Sequence, residues 1–458
     1  YIKESFQAMP HPQESRASIL HVWLVSGEKL TSLPTEGLAD VRALKRHLQE
    51  FCGTPRFRQR LLHNGRNLAD DVALCTLATD IQLLLLPFVS LSIQDSSALR
   101  NAVVHGQVRV VEDILVMAAD VNACELAPDG RPRDLLLREA AYLGHEEILR
   151  LLLEAGSALD SSDFTPLCAA CYKGHVEIVS LLLGAGAEKD EISAHGTPLT
   201  WAAGGTGDQD QQVRIVRELL QARADLNKVD GAWHTPLSCA AMYGSDKMVR
   251  ILLLAAASPD VICPGSEQSL LCWASENGSS EKVCMLVYAG ADKDQISARR
   301  TPLTSAIGAA QMEVVQVLIE AGAILDKVDD ELYTPLTRAL WTDNVDIVRL
   351  LLAARANADM VCPYSKQTPL CAASATGRVE MVRQILLTGA ALNRKCAGRT
   401  ALASAASEGH VEVVRLLIIA GATLDSLDGS RYTPLDRASQ NKHEEVVRLL
   451  LVAKARAS

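Results

Sequence analysis

Aromatic residues are scarce in this 458-residue chain, at 4% of the total, with five Phe and five Trp. Large rings cannot organise its core, which must come from Leu, Val, Ile and Ala packed closely. Long apolar runs are missing as well. None approaches the ~20 residues needed to cross a bilayer, and Ile81 to Phe88 is only strand-length. There is no excess of positive charge: 45 Lys and Arg stand against 55 Asp and Glu, a net −10, which argues against a general grip on nucleic acid. The twelve Cys show no disulfide-framework spacing. Cys168 and Cys171 form a CxxC, but no second pair lies at zinc-site spacing, so neither metal binding nor redox work is expected.

Catalytic constellations are absent too. His145, His175 and His410 occupy one recurring Gly-His position, and the carboxylates are scattered over solvated helix faces, so no nucleophile, base and orienting group come together. The glycines of Gly204-Gly205-Thr206-Gly207 follow no strand and supply no Lys, which excludes a phosphate loop. No enzyme and no cofactor are expected. Tyr1 to Ser18 lack a signal-peptide pattern and read as a flexible lead or the remnant of a longer chain. A soluble cytoplasmic protein is expected, with the nucleus left open.

What the chain does have is one phrase written eleven times. Its cleanest copy runs Thr165-Pro166-Leu167-Cys168-Ala169-Ala170, Gly174-His175, Ile178-Val179, Leu181-Leu182-Leu183, Ala185-Gly186. Anchored on the Thr position, the copies start at 97, 135, 165, 197, 235, 269, 301, 334, 368, 400 and 433. From 165 the spacings are 32, 38, 34, 32, 33, 34, 32 and 33 residues. Thr can cap a helix whose first residue is Pro. The Ala pair lets two helices approach, and Gly nine residues on (Gly144, Gly174, Gly244, Gly377, Gly409) marks a left-handed stop. Ile, Val and Leu at i, i+3, i+4 then give a second helix ending in Ala-Gly. One unit cannot bury its apolar face alone, whereas stacked units can. Cys168, Cys272 and Cys371 share one position of the phrase and read as small buried residues of a reducing compartment.

The phrase and its period near 33 resemble the ankyrin repeat. The resemblance covers residues 97–458 and implies a mostly α, non-catalytic scaffold holding a protein partner. In that family the partner lies along the concave face, on the fingers before each Thr and on first-helix positions seven and eight residues after it. Here those helix positions include Tyr172 with Lys173, Met242 with Tyr243, and Trp341 with Thr342; the fingers add Trp233, His234, Arg299, Arg300, Tyr333 and Tyr432. In a chain so poor in rings, aromatics there suit interface anchors; packing across a neighbouring finger is the equal alternative. Trp201 and Trp273 fall on the inward side and are expected in the core. Two irregularities stand out: Gly204 to Gln211 adds about five polar residues, read as a tolerated insertion, and the finger Cys124 to Asp134 is long, with a Pro128-Asp129-Gly130 turn.

Residues 19–88 break the pattern. Leu20-His21-Val22-Trp23-Leu24-Val25 alternates as a strand does, Val41, Leu44 and Leu48 mark a helix, and Ile81 to Leu86 a last strand. Gly53-Thr54-Pro55 after the helix, then Gln59-Arg60-Leu61-Leu62, the Gly65 turn and Leu68-Ala69-Asp70, resemble ubiquitin over about 70 residues. The resemblance implies a small α+β β-grasp domain. Leu86-Pro87-Phe88 runs on toward the first repeat where a conjugating Gly-Gly tail would stand, so conjugation is not expected. What can carry over is recognition through an apolar patch, at Leu62 and Leu84, by a ubiquitin receptor, ligase or proteasome component; a cap or spacer is the alternative. The expected organisation is a lead at 1–18, this domain at 19–88, a short linker at 89–96 and the array at 97–458.

Charge divides unevenly: residues 19–88 carry eight basic and seven acidic residues, and residues 89–458 carry 35 basic and 46 acidic, a net −11 that suits a basic or mixed-charge protein. A longer period also runs through the array. Lys189 to Ala194 recurs at Lys293 to Ala298, Lys228-Val229-Asp230 at Lys327-Val328-Asp329 with a weaker copy at Leu427-Asp428, and Val261 to Pro264 at Met360 to Pro363. Matching anchors are 104, 99 and 99 residues apart, or three repeats. Periodic sites for a repetitive partner and plain duplication both explain it.

Overall fold

A computed structural model describes residues 19–77, 80–122, 136–159, 164–193, 196–231, 234–263 and 265–457. The expected lead, the finger Cys124 to Asp134 with its turn, the anchor at Leu135, Ala194, Trp233 and Pro264 lie outside the described residues. The chain divides into two compact units. One runs to Pro198 and includes Gly205–Ala222; the other comprises Leu199–Gly204 and continues from Arg223.

The first unit begins with β1 (Ile19–Leu24), β2 (Lys29–Pro34), α1 (Val41–Cys52), β3 (Gln59–His63), β4 (Arg66–Asn67) and β5 (Asp80–Leu85). The sheet order is β2-β1-β5-β3-β4, with β1 and β5 parallel and the other pairs antiparallel. Alternation turns Leu20, Val22, Leu61, Ile81 and Leu83 inward, onto Val41, Leu44 and Leu48 of α1. The Ala43 N–H donates to Asp40 Oδ1 at 2.7 Å to cap α1, and left-handed Gly53 (φ 67°) ends it. β2 and β4 are strands the sequence pattern left unmarked; both lie at sheet edges and bury little.

This domain leans on the first two repeats. The Arg56 side chain, 1% exposed, forks between Glu154, Glu112 (3.2 Å) and Asp70 of its own domain (3.5 Å). Arg42 also reaches Glu112 at 3.3 Å, and Arg46 reaches Glu154. Pro55 presses on Gly156, where a Cβ would lie 2.7 Å from the proline ring. In the linker, Val89 donates to the Ala118 carbonyl and accepts from the Asp120 N–H.

Eleven helix pairs follow among the described residues. The hydroxyls of Thr165, Thr235, Thr301, Thr334, Thr368, Thr400, Thr433 and Ser269 each accept from the N–H three residues on, as capping requires. The first pair departs from expectation: its helix is Ile93–Val104, capped by Ser92, a turn earlier than the anchor at 97. It still ends where the anchor places the end, so the extra turn is added toward the linker.

Gly144, Gly174, Gly377 and Gly409 are left-handed, with φ between 71° and 86°. Gly244 is not; its φ of −91° lies in the extended region. Glycine is needed there for space, since a Cβ would sit 2.6 Å from the Ala203 carbonyl and 2.8 Å from that of Ala240. The insertion after Gly204 also differs from the expected polar loop. Asp208 caps a second helix of 13 residues, Gln209–Gln221, against nine in Val176–Gly184, so most of the added length is helical. No helix among the described residues is long and apolar enough to cross a membrane.

Candidate protein-binding surface

The recurring Gly-His position has a structural use. His175 Nε2 donates to the Tyr142 carbonyl at 3.2 Å and His410 Nε2 to that of Ala375 at 3.0 Å, each tying a second helix to the first-helix end of the preceding repeat. The imidazole lies over the glycine of that preceding repeat: a Cβ on Gly144 would come within 2.7 Å of the His175 ring. Gln212 and Gln311 make the same bond in their repeats, to Tyr172 and Glu276. Burial pushes the Cys168 thiol up to about 11 and holds Cys171 well above its ordinary value, which disfavours the thiolate that metal binding or nucleophilic attack requires.

The three-repeat period is built into how the fingers close. Ser193, Ser297 and Cys396 each donate to the carbonyl three residues on; Asp230, Asp329 and Asp428 to the one four residues on; Cys263 and Cys362 to the one five residues on. Along the chain these classes alternate in strict order. In the four-residue class the Asp is buried, and its Oδ1 accepts from the N–H of His234, Tyr333 or Tyr432 at 2.8–2.9 Å. Its second oxygen binds Arg338 at 2.8 Å or Arg437 at 2.6 Å, and those guanidiniums stack on the Tyr333 and Tyr432 rings. Every third finger of this unit is thus fixed by one buried carboxylate, and in two of these an Arg stiffens an aromatic ring.

Around Tyr333 the second unit gathers two further aromatic rings. Trp341 stands edge-on at 6.3 Å and Tyr364, on the next finger, lies 5.0 Å away. Trp341 and Tyr364 are 58% and 59% exposed. Arg300 joins from the preceding finger through Glu331, at 3.1 Å. Tyr243 is 66% exposed, whereas Met242 and His234 are half-buried. Tyr432 is less exposed than Tyr243 and stands apart from the Tyr333 group in sequence. Trp273 and Trp201, expected in the core, are only half-buried.

In the first unit Tyr172 is half-buried, and Lys173 Nζ sits over its ring and that of Tyr142. Leu62 and Leu84 lie on the sheet face opposite α1, in the register Leu62–Gln82 and Arg60–Leu84, both half-buried. Tyr364, Tyr142 and Leu143 were missed from sequence. The rule of seven and eight residues applied to the repeat at 135 points to Tyr142 and Leu143; Tyr364 carries no such signal, standing four residues before its Thr.

Comparison with known proteins follows the same residues. A family model described as ankyrin repeats in three copies matches residues 99–193, 271–362, 354–428 and 370–457, and the single ankyrin repeat matches 196–231 and 233–263. The chain is 31% identical over 199 residues to ankyrin repeat domain-containing protein SAT10 of Stachybotrys chartarum, covering 42% of this chain and 10% of that protein. It is 32% identical over 268 residues to ankyrin repeat and KH domain-containing protein mask-1 of Caenorhabditis elegans, covering 58% and 9%. The chain therefore spans about a tenth of the length of these curated relatives. The solved ankyrin repeat domain of human ASB11 is 28% identical, with 48% of this chain and 98% of that chain covered and a TM-score of 0.40. With the family models matching well over half of its residues, the chain belongs to the ankyrin-repeat family.

Proposed function

We propose that the chain is a non-catalytic scaffold that captures a protein partner on its first-helix ends and fingers, the surface that ankyrin repeats turn toward their concave side. The observation that carries this is the Tyr333, Trp341 and Tyr364 group, which leaves the Trp341 and Tyr364 rings in solvent beside the Tyr333 finger that Arg338 and Asp329 stiffen. Rigid aromatics give up little conformational entropy on binding and serve as anchors. Tyr243, Met242, His234, Arg300 and Tyr432 extend the proposed surface within the second unit, with Trp233 as a further finger position, and Tyr172 is the matching first-helix position in the first unit. A photo-crosslinking residue placed at Trp341 or Tyr364 should give adducts with a captured protein. The same probe at Tyr288 or Leu387, which end second helices, should not. Adducts only from the second-helix positions would refute the assignment.

A second reading makes the protein a ubiquitin-pathway adaptor. Its support is the strand order β2-β1-β5-β3-β4 with parallel central strands and one helix packed across them, together with Leu62 and Leu84 on the open face. This is the arrangement that a ubiquitin-like reading of residues 19–88 requires. Leu62→Asp with Leu84→Asp should abolish capture of proteasome or ligase components while leaving array-bound proteins in place. If such components never depend on these positions, the domain acts as a cap.

A further inference from the structure

The first unit holds a cleft of about 370 Å3 lined by Val104, Tyr142, Leu143 and Phe164. Val104, Tyr142 and Leu143 are all exposed, and solvent-facing apolar groups so gathered mark interaction sites. Beside it Lys173 Nζ is held 4.5 Å from the Tyr142 ring centre and 5.5 Å from that of Tyr172. No carboxylate stands within ion-pair distance of this ammonium among the described residues. The acid at the cleft wall, Glu139, is already taken by Arg100 at 2.6 Å. The charge left uncompensated is therefore positive, against the net −11 of residues 89–458 as a whole.

We propose that this cleft docks a peptide segment in which a bulky apolar side chain is followed directly by Asp or Glu. The apolar side chain displaces water from Val104, Leu143 and Phe164. The carboxylate then meets an ammonium already positioned over two ring faces. Local sign thus selects an acidic segment here, where overall charge favours a basic partner. The proposal rests on the reading that first-helix ends are the binding surface.

The test is selection of a displayed random heptapeptide library on the full chain, followed by anisotropy titration of the enriched peptides, labelled with fluorescein. Enrichment of a bulky apolar residue followed by Asp or Glu is expected. Binding of those peptides should fall at least tenfold with Lys173→Glu and with Leu143→Asp, each checked for an unchanged helical CD melt. Val104→Asp serves in place of any variant that melts early. Enrichment of basic peptides, or acidic ones indifferent to Lys173→Glu, overturns the proposal. Peptides that need Trp341 and ignore Leu143→Asp overturn it too, and leave the broader reading standing; no enrichment above that on Leu143→Asp counts against the cleft alone.

Discussion

The Arg56 guanidinium pairs with the Glu154 carboxylate across 98 residues of sequence, and it does so with its side chain 1% exposed. That bond joins the N-terminal sheet domain to the second repeat. A buried cation costs several kcal/mol in desolvation and persists only where its partners are fixed. The domain is accordingly packed onto the array and does not hang from a tether.

Arg56→Ala is expected to destabilise the protein by about 3 kcal/mol, read from urea unfolding, since it removes the buried cation that Glu112 and Glu154 share and leaves each with only its more exposed Arg42 or Arg46. Gly156→Ala gives an independent reading. Gly156 and Gly186 share a left-handed φ, 85° and 92°, but only at Gly156 would a Cβ meet Pro55; at Gly186 nothing lies within 4 Å. Gly156→Ala should therefore cost clearly more than Gly186→Ala. Equal costs would mean that the domain does not rest there.

His410→Ala should lower stability by about 1 kcal/mol through loss of the bond to the Ala375 carbonyl. His410→Gln should restore most of it, because Gln311 already makes that bond in its own repeat. Thermal melts of the two variants decide the point, and indistinguishable melts would contradict it.

The buried finger carboxylates give stability a pH dependence. Burial by itself would raise the Asp428 carboxyl, but the Tyr432 N–H and the Arg437 guanidinium together hold it below its ordinary value. A lowered folded pKa adds stability that is complete above the unfolded value of about 3.9 and lost as pH falls through the folded one. Urea midpoints of Asp428→Asn should be lower than those of the unchanged protein at pH 7 and fall less steeply below about pH 4. Parallel curves would remove Asp428 from the account.

Thiol chemistry should separate core from surface. Burial pushes Cys239, Cys263 and Cys371 up to about 12 and Cys168 to about 11, while Cys75 is exposed. Iodoacetamide at pH 8 followed by peptide mass spectrometry should label Cys75 in the native protein. The four buried thiols should react only after denaturation.

Much of the array was legible because its signals are local. A Thr before Pro and Leu is both cap and start, and the observed hydroxyl-to-N–H bonds at Thr165 through Thr433 follow from those residues alone. Gly244 shows the limit. Its place in the phrase matches that of Gly144, yet its need for glycine comes from the Ala203 carbonyl of the preceding repeat. Contacts between repeats also hid the use of the Gly-His position and the meaning of the three-repeat period. The recurrence of Asp230, Asp329 and Asp428 was readable, but not that each closes a finger over four residues. Tyr364 gained its importance from Tyr333, 31 residues away in the chain and 5.0 Å away in space. Short edge strands such as β2 escaped because few of their residues are buried.

The most direct test of the account is capture by the intact chain compared with Tyr243→Ala and Trp341→Ala combined, quantified by mass spectrometry. Both rings are exposed, so the double variant should keep its helical CD signal and its melting temperature. Loss of the captured proteins with the fold intact is the expected result. Capture unchanged by the double variant would contradict the assignment of the first-helix ends as the binding surface.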